Sequence, residues 1–365
     1  MANDFANVDS LLSGDVATRL LDSGFDTGVL RPYKNKKGQS LVTLNAGRKN
    51  QKVVRVNNAA TLRKDEWIEL DRAIMEAATP KLQFFNIIRR AMTPYTITNI
   101  LGKTVLQYQR QSLVTDATVS MDGLRRGDAD RVVFDLASMA LPIIHKDFSF
   151  SSREIETSRN MGSTIDTLTG MAAAEKTAEM IERLAIGTAP VYNFAGGHVY
   201  GMCNYPDRMT ATLTAPVTAG GTPNPAWSPL VFIDEILKMK QMLLAANLTG
   251  PYGIFYSQDW EQYLDGDYGN ATGVTNSITL RGRLEKVNNI QNVDQIDLMP
   301  PWTVCVLRMN PTTIRSVVGM DLTTVQWASE GGFKFDFKVM GVLLPQIRSD
   351  FYKNTGIVHG TATPP

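Results

Sequence analysis

Two strand-like runs, Val105–Arg110 and Arg131–Leu136, are separated by a polar stretch from Asp116 to Asp130, and no other feature restricts the fold of this chain as much. Met121-Asp122-Gly123 and Arg126-Gly127-Asp128 inside that stretch are turn-like. The two runs predict a two-stranded ribbon, which cannot bury both of its faces and is marginal in water by itself. A chain built this way needs a second surface on which to lay the ribbon.

Beyond Ser149–Ser152 comes the strongest helical signal. Ser163-Thr164-Ile165-Asp166 is a variant of the capping box, and from there to Ile186 there is no proline and only one glycine, Gly170. Ile165, Leu168, Ala172, Ile181, Leu184 and Ala185 supply apolar contacts, Glu179 and Arg183 a favourable i, i+4 pair, and Gly187 a stop. Residues 163–187 therefore predict a rod of roughly 35 Å.

Elsewhere the pattern is mixed. A helix is expected over Asp65–Ala78, with Trp67, Leu70, Ile74 and Ala78 on one face and Asp65 and Glu66 in the first turn. Another opens at Ser228-Pro229 and runs to about Asn247, ended by Gly250-Pro251, and a third covers about Ile278–Val287. A helical candidate lies around Leu11–Leu21. Strands are expected at Ser40–Leu44, Val53–Val56, Gly253–Tyr256, Trp302–Leu307, Ile314–Val318, Phe333–Met340 and Val342–Ile347. Residues 188–227 are loop-rich, and no internal repeat is evident. The fold class is α+β, without the regular alternation that builds a doubly wound parallel sheet.

Net charge is only +1, but it is unevenly spread. Between Arg31 and Lys64 there are ten basic residues and no acidic one: Arg31, Lys34, Lys36, Lys37, Arg48, Lys49, Lys52, Arg55, Arg63 and Lys64. The rest of the chain is correspondingly acidic. An arm of one sign on a body of the other can bind nucleic acid or a neighbouring subunit; a solvated surface stretch is the plainer reading. No run of 18 apolar residues is present, and Met1–Phe5 does not begin a secretory signal. Two cysteines, Cys203 and Cys305, cannot make a disulfide framework or a four-cysteine zinc site, which suits synthesis in a reducing cytoplasm.

Motifs for chemistry are missing. Leu101-Gly102-Lys103-Thr104 ends like a phosphate-binding loop, but Ile97 stands where its first glycine should be. His145, His198 and His359 have no metal-ligand spacing, and no Gly-x-Ser-x-Gly or Cys-x-x-Cys occurs. Asp234-Glu235 and Asp265-Gly266-Asp267 read as solvated acids, and Met239, Met242 and Leu243 as core or subunit contact. His198 and Cys203, five apart in a glycine-rich stretch, are the one pairing that a metal or nucleophilic role could use, though a loop histidine beside a buried cysteine is the simpler reading. No catalytic residue, cofactor or metal site is assigned.

Leu141-Pro142-Ile143-Ile144-His145-Lys146-Asp147-Phe148-Ser149-Phe150-Ser151-Ser152-Arg153-Glu154 resembles the stretch of encapsulins and related phage capsid proteins that leads from an extended loop into a spine helix. Ser158-Arg159, Gly162 and Ile165-Asp166-Thr167 continue the likeness, Asp65-Glu66-Trp67 with Leu70-Asp71 resembles an early helix of those proteins, and Gly319-Met320-Asp321-Leu322 a late turn. The resemblance is to the Hong Kong 97 capsid family and covers about residues 60–360. It implies an N-terminal arm at 1–64 (basic over 31–64), a helical region at 65–103 and an E-loop at 104–140. It further implies a P-domain at 141–195 and 313–365 and an A-domain at 196–312. The implied function is that of a non-enzymatic major capsid protein of a tailed double-stranded DNA bacteriophage. It would assemble with itself into pentamers and hexamers in the host cytoplasm and end in the virion. An encapsulin-type nanocompartment shell is the alternative.

Portal and scaffolding proteins, with a cementing protein as a further candidate, would be the other protein partners, and packaged DNA a sequence-nonspecific one; no membrane is expected. Arg31, Lys34, Lys36, Lys37, Arg48, Lys49, Lys52 and Arg55 are the candidate DNA or inter-subunit contacts. Asp116, Asp122, Arg125, Arg126 and Asp128 are the candidate E-loop contacts. The founding phage of the family crosslinks its shell through an E-loop lysine, but no lysine lies between Lys103 and Lys146, so no such crosslink is expected.

Overall fold

The ribbon forms as a closed register of seven pairs, from Val105 opposite Ala140 to Gln111 opposite Phe134. Its strands are β5 (Val105–Gln111) and β6 (Phe134–Ala140), so the second begins three residues later and runs four residues further than the alternation predicts. The computed structural model describes residues 32–34, 39–44, 52–55, 62, 64–112, 121, 131–160, 167–218, 220–266 and 278–363. The helical candidate at Leu11–Leu21 and the Ser163–Asp166 cap lie outside the described residues. The chain divides into two units.

The first unit contains the described residues up to Lys81, with Ile143–Glu179 and Met320–Gly341. The runs expected from Ser40 and Val53 belong to a three-stranded antiparallel sheet in which β2 (Ser40–Leu44) pairs with both β1 (Pro32–Lys34) and β3 (Lys52–Arg55). Helix α1 (Lys64–Ala78) buries Trp67, Leu70, Ile74 and Ala78, the face its spacing predicts. Strand β7 (Ile144–Ser151) pairs with the first half of β15 (Lys334–Ile347), and there Phe148 stacks on Phe337 at 5.2 Å while Trp67 meets Phe337 edge-on at 6.1 Å.

Helix α3 (Ser152–Asn160) was not expected. Its cap is a reciprocal box: the Ser151 N–H donates to Glu154 Oε2 at 2.8 Å, and the Glu154 N–H to Ser151 Oγ at 3.2 Å. Helix α4 (Leu168–Ile186) follows and passes from the first unit into the second after Glu179. Its 19 residues span about 28 Å, shorter than the rod predicted, because the described helix begins five residues late. Gly170 in its first turn lies where a Cβ would be 3.0 Å from Leu70 Cδ1, so the absent side chain lets α1 approach.

The second unit contains Leu82–Pro142, Met180–Gly319 and the chain from Val342. Its centre is a five-stranded sheet in the order β10 (Met209–Leu213), β16 (Ile357–Ala362), β13 (Thr303–Arg308), β11 (Tyr252–Tyr256), β12 (Ile290–Gln295). The outer pairs are parallel and the inner pairs antiparallel. All five residues of β11 are buried, as its continuous apolar run requires.

Against this sheet lies α5 (Pro229–Ala245), which buries Phe232, Ile233, Ile236, Met239 and Leu243. Ser228 caps it by accepting from the Val231 N–H, with Pro229 in the first turn. Met239 and Leu243 are thus core. Two short helices, α6 (Glu261–Leu264) and α7 (Leu280–Glu285), add Leu264, Leu280 and Leu284 to the same core. Helix α2 (Gln83–Ala91) also buries Phe84, Phe85 and Ile88 in this unit.

Strand β14 (Ile314–Ser329) runs far past the expected Val318, and the two runs at Phe333–Met340 and Val342–Ile347 are one strand, β15. Both contribute residues to each unit, and the sheet order is β4 (Tyr95–Thr96), β14, β15, β7. A small hairpin, β8 (Tyr192–Phe194) with β9 (Gly197–Val199), completes the strands.

Candidate functional site

The charged residues singled out in the sequence fall mostly outside the described residues. Lys34 lies in β1 and Lys52 and Arg55 in β3, so one small sheet carries three of the eight basic candidates. Arg31, Lys36, Lys37, Arg48 and Lys49 lie outside the described residues, as do Asp116, Asp122, Arg125, Arg126 and Asp128.

The ribbon exposes large apolar side chains on β6 and before it, beside exposed Gln107 and Gln109 on β5. Val133, Phe134 and Leu136 are 56%, 61% and 56% exposed, a concentration of large side chains that nothing in the chain covers among the described residues. The foot of the ribbon, by contrast, is fastened by polar groups. Arg110 pairs with Asp135, its directly opposed partner in the register, and donates through Nη1 to Ser349 Oγ at 3.0 Å. The Arg348 guanidinium lies 5.2 Å from the Tyr108 ring centre. Gly197 of β9 abuts β6 so closely that a Cβ would meet the Ala140 nitrogen at 2.6 Å. A cavity of about 300 Å³ lies here, lined among others by Tyr108, Arg110, His198, Tyr205 and Gln346. The ribbon is held rigidly at its root and exposes apolar side chains beyond it.

A second uncovered apolar surface lies on α5. Leu230, Leu237 and Leu244 are each at least 37% exposed and recur every seven residues along one flank of the helix, beside the buried face. That stripe was legible from spacing alone and was missed, as were the outward residues of β6.

Glu182 of α4 is buried, and its carboxylate accepts from the backbone N–H groups of Phe84 and Phe85. It therefore caps α2 from another helix, since Leu82 at the N-cap position has no side chain able to do so. Burial pushes its pKa up to about 7, outweighing the two N–H bonds that pull it down.

The proposed pairing of His198 with Cys203 does not occur. His198 is exposed and its Nδ1 lies 2.6 Å from Asn193 Oδ1, within its own hairpin. Cys203 is buried, and its neighbours are Cys305, at 3.8 Å between the sulfurs, and His359.

Residues 57–360 match the family described as Family of unknown function (DUF6260). The chain belongs to that family. No curated protein matches the sequence. Among solved structures, this DUF6260 member is similar to the virus-like particle from Pyrococcus furiosus, with a TM-score of 0.56 and 15% identity over 80% of this chain and 98% of that one. The capsid of Myoviridae phage XM1 gives 0.52 and 13% over 73% and 90%, and the capsid of the native GTA particle 0.52 and 10% over 76% and 89%. At such identities the likeness concerns the fold, and the fold is that of Hong Kong 97 capsid proteins. The resemblance read from Leu141–Glu154 is borne out at that level.

Proposed function

We propose that this DUF6260 member is the major capsid protein of a tailed double-stranded DNA bacteriophage, assembling with itself into the pentamers and hexamers of an icosahedral shell. The observation that carries this reading is a Hong Kong 97 fold over most of the chain, joined to a ribbon that exposes Val133, Phe134 and Leu136. A surface of this kind gains stability only by contact with another molecule, and closed symmetric assemblies supply that contact repeatedly. Residues 104–140 then act as the E-loop and 1–64 as the arm. Residues 141–195 with 313–365 form the P-domain, and 196–312 form the A-domain, with the Leu230–Leu244 stripe facing a neighbouring copy.

The second reading, a nanocompartment shell, draws on the virus-like particle that matches over 98% of its own length. The ten basic residues between Arg31 and Lys64 favour the virus, because a cationic arm suits a packaged polyanion. Lys34, Lys36, Lys37 and the other basic candidates would touch DNA or an acidic neighbour, and Asp116, Asp122, Arg125, Arg126 and Asp128 would touch the subunit beneath the E-loop. Portal and scaffolding proteins would be recruited during assembly in the host cytoplasm.

Electron microscopy of the protein expressed alone and fractionated by size tests the proposal. Closed shells or five- and six-membered rings are expected. A uniform monomer that stays monomeric in the presence of its co-expressed neighbouring phage genes would refute it. Nucleic acid inside the shells would favour the virus, and a co-purified enzyme the nanocompartment. Charge reversal at Lys34, Lys36 and Lys37 should reduce DNA retention while leaving assembly intact if the arm faces DNA.

A further inference from the structure

Cys305 in β13 and His359 in β16 are directly opposed in the antiparallel register, so their side chains share one face of the five-stranded sheet. Cys203 reaches that face from the segment after β9, which is pinned to the end of α4 by the Cys203 N–H donating to the Ile186 carbonyl at 2.6 Å. The donor atoms of the three residues lie within 4.8 Å of one another. Both cysteines are buried, Cys305 completely and Cys203 to all but 6%, so Cys203 is the less enclosed residue of the pair.

Arg208 sets the tautomer of the neutral ring. Its Nε donates to His359 Nδ1 at 3.4 Å while its Nη1 holds the Tyr205 carbonyl at 2.8 Å. With Nδ1 accepting, the imidazole proton sits on Nε2, which is buried and has no hydrogen-bond partner among the described residues. A thiolate is the acceptor this N–H lacks. The Cys203 thiol is pushed down to about 6, through the hydrogen bond from Cys305 and then the nearby His359 and Arg208, while complete burial pushes Cys305 up. One sulfur is thereby prepared as a nucleophile and the other as a thiol held against it. A metal ion is the competing occupant, but the Arg208 cation stands on the same imidazole. No fourth histidine, cysteine or carboxylate joins the cluster among the described residues either.

We propose that Cys203 and Cys305 are a peroxide-oxidised pair that closes to one intrachain disulfide, Cys203 attacking and Cys305 resolving. The Cys203 thiolate attacks the distal, hydroxyl-bearing oxygen of a hydroperoxide. The O–O bond breaks, the alkoxide or hydroxide leaves, and a sulfenic acid forms on sulfur. The Cys305 sulfur then displaces the hydroxyl from that sulfenic acid. The S–S bond forms, and the thiol proton leaves with the hydroxyl as water. The peroxide is reduced and the two sulfurs oxidised. The bond would tie the segment after β9 to the middle strand of the sheet and close a loop of about a hundred residues, which limits the unfolded chain.

The test uses the purified full-length protein, assembled or not, reduced and freed of reductant, then treated with hydrogen peroxide, alkylated in denaturant and digested without reduction. The expected result is a loss of two hydrogen masses per chain and one crosslinked peptide joining Cys203 to Cys305. Cys305→Ala should stop at a dimedone-reactive sulfenic acid on Cys203, and Cys203→Ala should leave Cys305 unoxidised. The wild-type digest stands even if a variant fails to fold. Two free thiols after peroxide, or oxidation that begins at Cys305, would overturn the proposal. So would an equivalent of zinc in the untreated protein that shields both thiols until it is chelated.

Discussion

The five-stranded sheet and the β5–β6 ribbon are made of the same backbone geometry, yet they stand at opposite ends of self-sufficiency. Every residue of β11 is buried, Tyr252, Ile254 and Tyr256 in the core that α5 shares and Phe255 against Phe84 of α2, whereas β6 begins with Phe134 and Leu136 in solvent. The sheet carries its own partners within the chain; the ribbon is fastened at its foot by the Arg110–Ser349 bond and by Gly197 of β9 against Ala140, and exposes Val133, Phe134 and Leu136 beyond it. If the open ribbon is the assembly surface, stability and assembly rest on different residues. A substitution should disturb one property or the other, and the contrast fails if it disturbs both. The largest expected effect is in the sheet. Phe255→Ala removes a fully buried ring that meets Phe84 edge-on at 5.1 Å, and should cost about 4 kcal/mol in urea unfolding.

Second is the pH response of the same unit. Glu182 has a folded pKa of about 7, above its ordinary 4.5, so the stability it contributes is fully present below about 4.5 and lost as pH rises through 7. Urea unfolding at pH 5 and at pH 8 should differ by about 3 kcal/mol on this account, with the acidic condition the more stable. Glu182→Gln keeps an oxygen for the α2 amides and should flatten that dependence. An unchanged profile in the variant would remove Glu182 as its source.

How far the sheet and the ribbon could be read from sequence differs for a physical reason. Helices α1 and α5 and strand β11 announce themselves because cap, periodicity and burial agree. Strand β14 reads short because Gly319 looks like punctuation, and β15 reads as two runs because Gly341 does. In the structure Gly341 is a close approach, with a Cβ there only 3.1 Å from Leu322 Cδ2. Strand β16 went unread since His359, Gly360 and Thr361 lack the apolar alternation, and it is their place beside β13 that buries most of the strand. The His198–Cys203 pairing failed because chain proximity is no guide to contact: the sulfur neighbour of Cys203 is 102 residues away. The Ser151–Glu154 cap was in plain view and was passed over in favour of a later one.

Two smaller effects belong to the first unit. Gly170→Leu would push a side chain toward Leu70 Cδ1 and Phe148 Cζ, 3.0 and 3.4 Å from the new Cβ, and should cost about 2 kcal/mol in thermal or urea unfolding. Ser151→Ala opens the box at the start of α3 and should cost about 1 kcal/mol, with faster amide exchange confined to the first turn of that helix. Were exchange to rise across β7 as well, the cap would be supporting the strand and not the helix alone.

The smallest expected effect on folding is at the ribbon, and it is the one that separates the two regions most sharply. Phe134→Ser with Leu136→Ser removes side chains that contact solvent, so the unfolding free energy of the isolated chain should move by no more than about 0.5 kcal/mol. Assembly should be another matter. If the ribbon lies on a neighbour, each subunit of a closed shell loses the same contact, and a loss repeated at every interface is felt collectively. Sedimentation of the double variant should then give free chains or small rings under conditions where the wild type closes. Shells of normal size would mean that this apolar edge is idle, leaving the Leu230–Leu244 stripe on α5 as the next surface to test. Unfolding of the variant chain would instead mean that the ribbon completes the core of its own unit, and that the division between self-sufficient and open strands had been drawn in the wrong place.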